Sequence, residues 1–298
     1  MWILATGKRG QVVSSLVERA ARFPHIELIT VGRPDLDLRN PLSVIRSIVA
    51  AKPDVVVSAA AFTMVERAEE EPELAYTVNV GGAGAVAEAA AWVDAPVIHL
   101  STDYVFSGDE PDAYREDSRT GPKSVYGFTK LEGERAVARL NPCHVILRTA
   151  WVYSPFGTNF VKTMLRLAAD HDTISVVSDQ WGNPTSALDI AEGIVQLAMH
   201  LKDNCCSGTY HLAGTGDVNW SGFARHIFAV SRAHGGPFAE VREIATADYP
   251  TKARRPLNSR LCSDKFATMF GWRSPAWKSS MEAVVRRLIR ERPVAGAA

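Results

Sequence analysis

Short apolar runs alternate with amphipathic segments along most of the chain. The runs predict buried strands at 2–5, 26–31, 54–61, 97–100, 145–150 and 210–213, and the segments between most of them have helical periodicity. Strands that alternate with helices are typical of a doubly wound parallel sheet. From about residue 214 the pattern becomes irregular, with helix 220–232 and a final helix. We therefore predict an α/β fold with a smaller C-terminal α/β lobe.

The first strand leads into a glycine turn, Gly7-Lys-Arg-Gly10-Gln11, and then into an amphipathic helix. Gly7 permits a tight turn, and Gly10 lets backbone approach a pyrophosphate at the helix N-terminus, where free N–H groups favour anions. This order predicts the first unit of a Rossmann-like, dinucleotide-binding domain. The motif is incomplete, because Val13 stands where a third glycine usually packs helix against strand.

The second predicted strand ends at Gly32-Arg33, where NAD-preferring enzymes usually carry an acid for the ribose 2′-hydroxyl. Arg33 could instead contact a 2′-phosphate, or be an ordinary solvated arginine. The predicted cofactor is therefore NADPH, with NADH possible. The third strand runs into Ala59-Ala60-Ala61, whose small side chains would let a nucleotide lie close to the backbone.

Tyr126 and Lys130 are four residues apart on a predicted helix, so their side chains share a face. An ammonium there favours the phenolate and lowers the pKa of the tyrosine, which could then exchange a proton. Thr102 follows strand 97–100, at the edge where open α/β sheets bind ligands. These three are candidate catalytic residues for a carbonyl or an alcohol. A Tyr-x-x-x-Lys pair alone is usually plain helix surface, and the dinucleotide turn favours catalysis.

Composition excludes several other classes of protein. The 298 residues carry 33 basic and 33 acidic side chains, without a basic stripe or a polybasic tail, so we expect neither a nucleic acid nor a membrane as partner. The apolar runs are too short to span a bilayer. The N-terminus does not resemble a signal peptide. The four cysteines lack metal or disulfide-framework spacing, which predicts reduced thiols in a cytoplasmic protein.

Three polar features allow more than one interpretation. The charged run Glu66–Glu73 is most simply a solvated helix start, rather than a metal cluster. Arg254, Arg255 and Arg260 suit a diphosphate, because guanidinium groups pair with phosphate oxygens, but they could equally be surface charge. Asn79 either caps a helix or orients an active-site group.

Several motifs, in order, resemble those of the extended short-chain dehydrogenase/reductases and, within them, of the dTDP-4-dehydrorhamnose reductase family. They span nearly the whole chain, at 6–12, 59–69, 101–106, 125–134, 148–153, 159–164, 179–185 and 255–261. The resemblance implies that NAD(P)H reduces the C4 ketone of dTDP-4-dehydro-β-L-rhamnose to give dTDP-L-rhamnose, with Tyr126 as proton donor. The alternatives are a reductase or epimerase of another nucleotide 6-deoxyhexose, or a non-catalytic NADP-binding regulatory subunit.

The resemblance also implies roles for individual residues. Together with the turn and strand-end positions above, the cofactor site would comprise Gly7, Gly10, Gln11, Val12, Arg33, Asp37, Leu38, Ala59, Ala60, Ala61, Thr63, Tyr126 and Lys130. The nucleotide-sugar site would comprise Val65, Thr102, Asp103, Tyr104, Tyr126 and Trp151, to which we add Arg255, Asn258 and Arg260. We expect a dinucleotide-binding domain, 1–150 plus about 187–213, and a nucleotide-sugar-binding lobe, about 151–186 and 214–298.

Some members of this family are credited with a magnesium ion that glutamates hold at a dimer contact. The matching positions here are Ser15 and Leu188, and neither side chain is a carboxylate. We therefore predict no metal site, while a homodimer remains possible.

Overall fold

The computed structural model describes residues 1–291 and has strands and helices in the alternation that the hydrophobic pattern predicts. The strands are β1 (Trp2–Thr6), β2 (Glu27–Val31), β3 (Val55–Ser58), β4 (Val97–Thr102), β5 (His144–Thr149), β6 (Val152–Tyr153), β7 (Thr173–Val177), β8 (Trp181–Gly182), β9 (Thr185–Ser186), β10 (Gly208–His211), β11 (Val218–Asn219), β12 (Glu240–Ile244) and β13 (Asn258–Ser259). The α-helices are α1 (Gln11–Ala20), α2 (Pro41–Ala51), α3 (Val65–Glu70), α4 (Pro72–Tyr76), α5 (Ala83–Ala91), α6 (Val125–Leu140), α7 (Phe160–Leu167), α8 (Ala187–Asp203), α9 (Trp220–Ala233), α10 (Asp264–Phe270) and α11 (Trp277–Arg290).

A six-stranded parallel sheet has the order β10-β5-β4-β3-β1-β2. The chain builds outward from β1 to β2 and then crosses to β3 on the other side of β1, so the strand order reverses beside β1. In open α/β sheets, ligands bind at the carboxyl ends of the strands next to such a reversal. The prediction of a doubly wound parallel sheet is confirmed.

Both faces of this sheet are buried, as a parallel sheet between helices requires. Successive side chains of a strand point to opposite faces. Ile3 accordingly packs in a core with α1 and α8, whereas Leu4 packs in a second core with α2 and α5. The near-continuous apolar runs of the sequence therefore reflect a sheet that is covered on both sides.

A further hydrophobic core belongs to the C-terminal lobe. It packs α7, α9 and α11 together, around rings such as Phe223 and Phe228, and includes side chains of the parallel pair β7 and β12. Two smaller sheets, β11-β8-β13 and β6-β9, are built from short strands between residues 152 and 259. The domain boundaries given above stay a prediction, and residues 292–298 of the lobe lie outside the described residues.

Across residues 1–291, none of the helices combines the length and the apolar character that a membrane span needs. One cysteine prediction is wrong. Cys143, just before β5, and Cys205, just after α8, form a disulfide with their Cα atoms 5.5 Å apart. Their separation of 62 residues gave no signal, because only the fold brings these two segments together. Cys206 and Cys262 are free.

Candidate active site

A cavity of about 680 Å³ opens at the carboxyl ends of β1, β3, β4 and β5; we call it the central cavity. Its wall brings together most of the predicted site residues, namely Gly7, Gly10, Gln11, Val12, Ala59, Ala60, Ala61, Thr63, Val65, Thr102, Asp103, Tyr104, Tyr126, Lys130 and Trp151. Predicted catalytic, cofactor and sugar residues therefore share one space.

A second cavity of about 870 Å³, the outer cavity, shares the glycine turn and the alanine loop with the first. Arg33, Asp37 and Leu38, three of the residues predicted to bind the cofactor, line this outer cavity. Lys8, Arg9, Arg39 and Arg67 add positive charge to the same wall. Asp37 is paired with Arg39, with Nη2 and Oδ2 2.7 Å apart, and this hydrogen bond lowers the pKa of Asp37. The outer cavity thus suits an anionic ligand group.

The glycine turn and the alanine loop beside it have a defined backbone conformation. Gly7 has a φ of +108°, a backbone conformation that residues other than glycine rarely adopt. The hydroxyl oxygen of Thr6 accepts hydrogen bonds from the backbone N–H groups of Ala59 and Ala60, each at 3.0 Å, and so fixes the alanine loop beside the turn. The residues present therefore fit a dinucleotide cofactor.

Local capping places Tyr126 in the first turn of α6. The Ser124 hydroxyl accepts a hydrogen bond from the Gly127 N–H at 3.1 Å, and Glu69 accepts one from the Val125 N–H at 2.9 Å. A Cβ on Gly127 would lie 2.1 Å from the Tyr104 carbonyl oxygen, so only glycine allows this close approach. The rings of Tyr104 and Tyr126 meet edge to face, 5.6 Å apart.

The electrostatics of Tyr126 differ from the sequence prediction. Burial raises the pKa of Tyr126, and a hydrogen bond with Thr102 offsets part of that rise. The expected lowering by Lys130 is absent, because the Lys130 ammonium donates to the Leu100 carbonyl oxygen at 2.7 Å and to His99 Nε2 at 3.3 Å. Tyr126 is therefore a phenol that keeps its proton until an acceptor arrives.

Burial lowers the pKa of Lys130 to about 8, against a smaller raising effect of Glu134. Burial, together with the charge of Lys130, holds the pKa of His99 well below its ordinary value. His99 is thus neutral and accepts at Nε2, so its proton is on Nδ1 and is directed to the Ser58 oxygen at 3.1 Å. An ammonium has three donors, and two of those on Lys130 are used by these partners.

A buried ion pair anchors α6 to the sheet one turn beyond Lys130. Arg148 donates to both carboxylate oxygens of Glu134, at 2.9 Å and 2.7 Å, and the Ser101 hydroxyl donates to the same group at 2.5 Å. Bidentate pairs of this kind fix geometry as well as charge. The pair therefore holds the lysine-bearing face of α6 against β4 and β5.

Asp103 is a buried carboxyl group beside Thr102. Burial raises the pKa of Asp103 to about 6, and hydrogen bonds with Ser259 and Thr102 offset part of that rise. Its Oδ1 accepts from the Thr102 hydroxyl at 3.0 Å. Because both side chains line the central cavity, they can accept from and donate to a bound polyol.

The three C-terminal candidates are not part of the lining of the central cavity. Arg255 lines a third cavity of about 770 Å³ that also contains Val65, and it pairs with Glu66 at 3.0 Å. The linings of these three cavities do not include Asn258 or Arg260. Asn258 instead donates to the carbonyl oxygens of Glu110 and Asp112, at 2.7 Å each, and its side-chain oxygen accepts from Arg260. The structure thus gives these two residues a role in holding the 110–112 loop.

The sequence did not reveal the hydrogen bonds and ion pairs that join the segments around the cavities. The acidic run is not simply a solvated helix start, because Glu66 accepts from the Ala253 N–H at 3.0 Å and Glu70 pairs with Lys252. Asn79 accepts from the Phe62 N–H at 2.8 Å and donates to Thr129 at 3.0 Å, which ties the loop after β3 to α6. These partners are far apart in sequence, so no local pattern could have revealed them.

The residues present do not fit the magnesium site that the sequence resemblance raised. Ser15 and Leu188 are both buried, and neither can supply a carboxylate. Within residues 1–291 there is no group of three or more His, Cys, Asp or Glu side chains that could hold a metal ion.

Comparison with known proteins agrees with this geometry. The family model described as the RmlD substrate binding domain matches residues 1–290. A dTDP-4-dehydrorhamnose reductase of Sinorhizobium fredii is 49% identical over 98% of this chain and 99% of its own length, and one of Escherichia coli K12 is 39% identical over 97% and 98%.

Solved structures of the same kind of enzyme also superpose closely. One from Clostridium acetobutylicum has a TM-score of 0.90 at 37% identity and covers 97% of this chain and 99% of its own. One from Bacillus anthracis, in complex with NADP, has a TM-score of 0.89 at 33% identity and covers 95% and 98%. The resemblance seen in the sequence motifs is confirmed, and the chain belongs to the RmlD family of dTDP-4-dehydrorhamnose reductases.

Proposed function

We propose that this protein reduces the C4 ketone of dTDP-4-dehydro-β-L-rhamnose to give dTDP-L-rhamnose, with hydride from NADPH or NADH, in the cytoplasm. The observation that carries the proposal is the meeting of Tyr126, Lys130 and Thr102 in one cavity that continues into a glycine turn. The names of relatives that match almost the whole chain support the same reaction.

The proton of the reaction comes from Tyr126. A bound reduced nicotinamide supplies the hydride, and the charge that develops on the C4 oxygen is then met by side chains. Burial raises the pKa of Tyr126, so the phenol is fully protonated when the ketone binds. The alkoxide that forms at C4 is a strong base and takes this proton, which makes Tyr126 the general acid.

Thr102 and Lys130 support that transfer. The Thr102 hydroxyl, which donates to Asp103 in the structure, can turn its proton toward the C4 oxygen. Donors fixed in advance near developing charge commonly contribute a few kcal/mol, about 3–4 for one such donor. Two N–H groups of the Lys130 ammonium donate to Leu100 and His99, and the third is available to a ribose hydroxyl of the cofactor.

The rest of the substrate has matching surfaces. Asp103 would accept from a sugar hydroxyl, and the indole of Trp151 would form an apolar wall for the sugar ring. Arg255 would exchange Glu66 for the diphosphate of the nucleotide. In the outer cavity, Arg33 and Arg9 would meet the 2′-phosphate of NADPH.

The experiment is an assay of the purified protein with dTDP-4-dehydro-β-L-rhamnose and NADPH. We expect one NADPH to be oxidised for each dTDP-L-rhamnose formed, measured by the loss of reduced-nicotinamide absorbance and by chromatography of the product. An epimerase would convert the sugar without net oxidation of the cofactor. A regulatory subunit would bind NADPH without turnover, and either result would reject the proposal.

A further inference from the structure

Trp151 has a backbone conformation that bulky residues rarely adopt. Its φ is +48°, in the left-handed region, and Ala150 alone separates it from the end of β5. Such conformations are strained and persist only where surrounding contacts impose them. Trp151 lines the central cavity. The contacts that impose its orientation therefore also shape the cavity wall.

Two elements of the lobe hold this indole. The ring of Trp151 stacks on that of Trp220, with centroids 3.5 Å apart and planes within 8° of parallel. Gly182 lies so close that a Cβ there would be 2.5 Å from Trp151 Cε2. The two contacts belong to one unit, because β8, which contains Gly182, pairs with β11, which immediately precedes Trp220.

Trp220 is itself fixed by the lobe core and does not reach the cavity. It is the first residue of α9, whose N-terminus is capped by Asn219, and its ring contacts Phe160 at 4.5 Å between centroids. The lining of the central cavity includes Trp151 but not Trp220. Trp151 is the cavity residue on which Trp220 stacks, so the stacked pair gives Trp220 a direct route to a ligand in this cavity.

We propose that Trp220 is a positioning residue for the sugar site: by stacking on the indole of Trp151 it holds that residue in place, and with it the apolar wall against the sugar ring. The inference rests on the proposed function, since it takes the ligand at this wall to be the 6-deoxyhexose. The cofactor turn, by contrast, is built on β1 and the alanine loop, which Trp220 does not contact in the described structure. Loss of Trp220 should weaken sugar binding and spare the cofactor.

Steady-state kinetics test this with Trp220→Leu, Trp220→Phe and Trp151→Leu. We expect Trp220→Leu to raise the KM for the dTDP-sugar about tenfold, with a change of at most about twofold in the KM for NADPH. Trp220→Phe keeps an aromatic partner and should recover most of the loss. In a Trp151→Leu background, Trp220→Leu should add nothing, because the residue through which it acts is gone.

The proposal would be overturned if Trp220→Leu raised the KM for the dTDP-sugar by the same factor in the wild-type and Trp151→Leu backgrounds. It would also be overturned if Trp220→Leu raised the KM for NADPH as much as the KM for the dTDP-sugar. Two closely stacked indoles give an exciton couplet in circular dichroism, which should vanish in either leucine variant. Gly182→Ala is a second variant in case Trp220→Leu fails to fold. It displaces Trp151 without changing Trp220, and it should also raise the KM for the dTDP-sugar.

Failure of the proposed function is separable from failure of this inference. If the wild type does not reduce the sugar ketone, the proposed reaction is rejected, and titration calorimetry with dTDP-L-rhamnose then measures the positioning effect directly. Weaker binding of this compound to Trp220→Leu than to the wild type supports the role of Trp220. Equal binding, or none to the wild type, rejects it.

Discussion

The buried ammonium of Lys130 makes the folded protein less stable at neutral pH than it would be with a neutral side chain there. Burial lowers the pKa of Lys130 from 10.5 to about 8. Between these two values the unfolded chain holds a proton at this position that the folded chain has released. The free energy of unfolding therefore rises with pH through this window, by on the order of 3 kcal/mol at about 1.4 kcal/mol for each pH unit.

Lys130→Met removes this titration. Urea unfolding of the wild type and of Lys130→Met between pH 7 and pH 10.5 should show the wild type gaining on the order of 3 kcal/mol relative to the variant. Comparing slopes rather than absolute values sets aside the hydrogen bond to Leu100 that the variant also loses, because that loss is present at every pH. The variant should have lost nearly all reductase activity.

Lys123→Met is the matched control, since it removes an ammonium that is 40% exposed in a pair with Asp109. The Lys123→Met protein should follow the wild type throughout the pH range. If the free energies of unfolding of the wild type and Lys130→Met change in parallel from pH 7 to pH 10.5, folding does not lower the pKa of Lys130. The interpretation of Lys130 would then be wrong.

Three further predictions concern other parts of the site. Burial raises the pKa of Asp103 to about 6, so the carboxylate is lost as pH falls through 6; kcat/KM should fall in the same range, and Asp103→Asn should abolish that limb of the pH profile. Arg33→Ala should raise the KM for NADPH roughly tenfold but not the KM for NADH, since only NADPH has the 2′-phosphate. An unchanged ratio of the two KM values would show that Arg33 does not contact the 2′-phosphate. Gly127→Ala would place a Cβ 2.1 Å from the Tyr104 carbonyl oxygen, and urea unfolding should show a loss of roughly 1–3 kcal/mol, whereas Gly81→Ala, with open space around it, should be tolerated.

The sequence was sufficient to predict those features that depend on residues close together along the chain. Apolar runs located every strand of the large sheet, because a strand covered on both faces is apolar at nearly every position. The spacing of Gly7 and Gly10, and that of Tyr126 and Lys130, placed these residues on one cavity because turn and helix geometry fix such neighbours.

Features that depend on long-range packing were not predictable. Arg255 meets Glu66 across 189 residues, and Asn258 meets Glu110 across 148, so no periodicity links them. The pKa of Tyr126 was predicted in the wrong direction, because the balance between burial and a nearby charge depends on where the Lys130 ammonium points. Spacing along a helix establishes proximity, not the choice of hydrogen-bond partner.

The most direct test of the central claim is Tyr126→Phe, which removes the phenolic proton and keeps the ring. Stopped-flow mixing of NADPH-loaded protein with dTDP-4-dehydro-β-L-rhamnose measures the rate at which reduced nicotinamide is consumed, and a separate titration measures NADPH binding. We predict a fall of at least about 100-fold in that rate, in keeping with the usual contribution of general acid catalysis, and NADPH binding within a few-fold of wild type. Consumption at the wild-type rate would show that another group protonates the C4 oxygen.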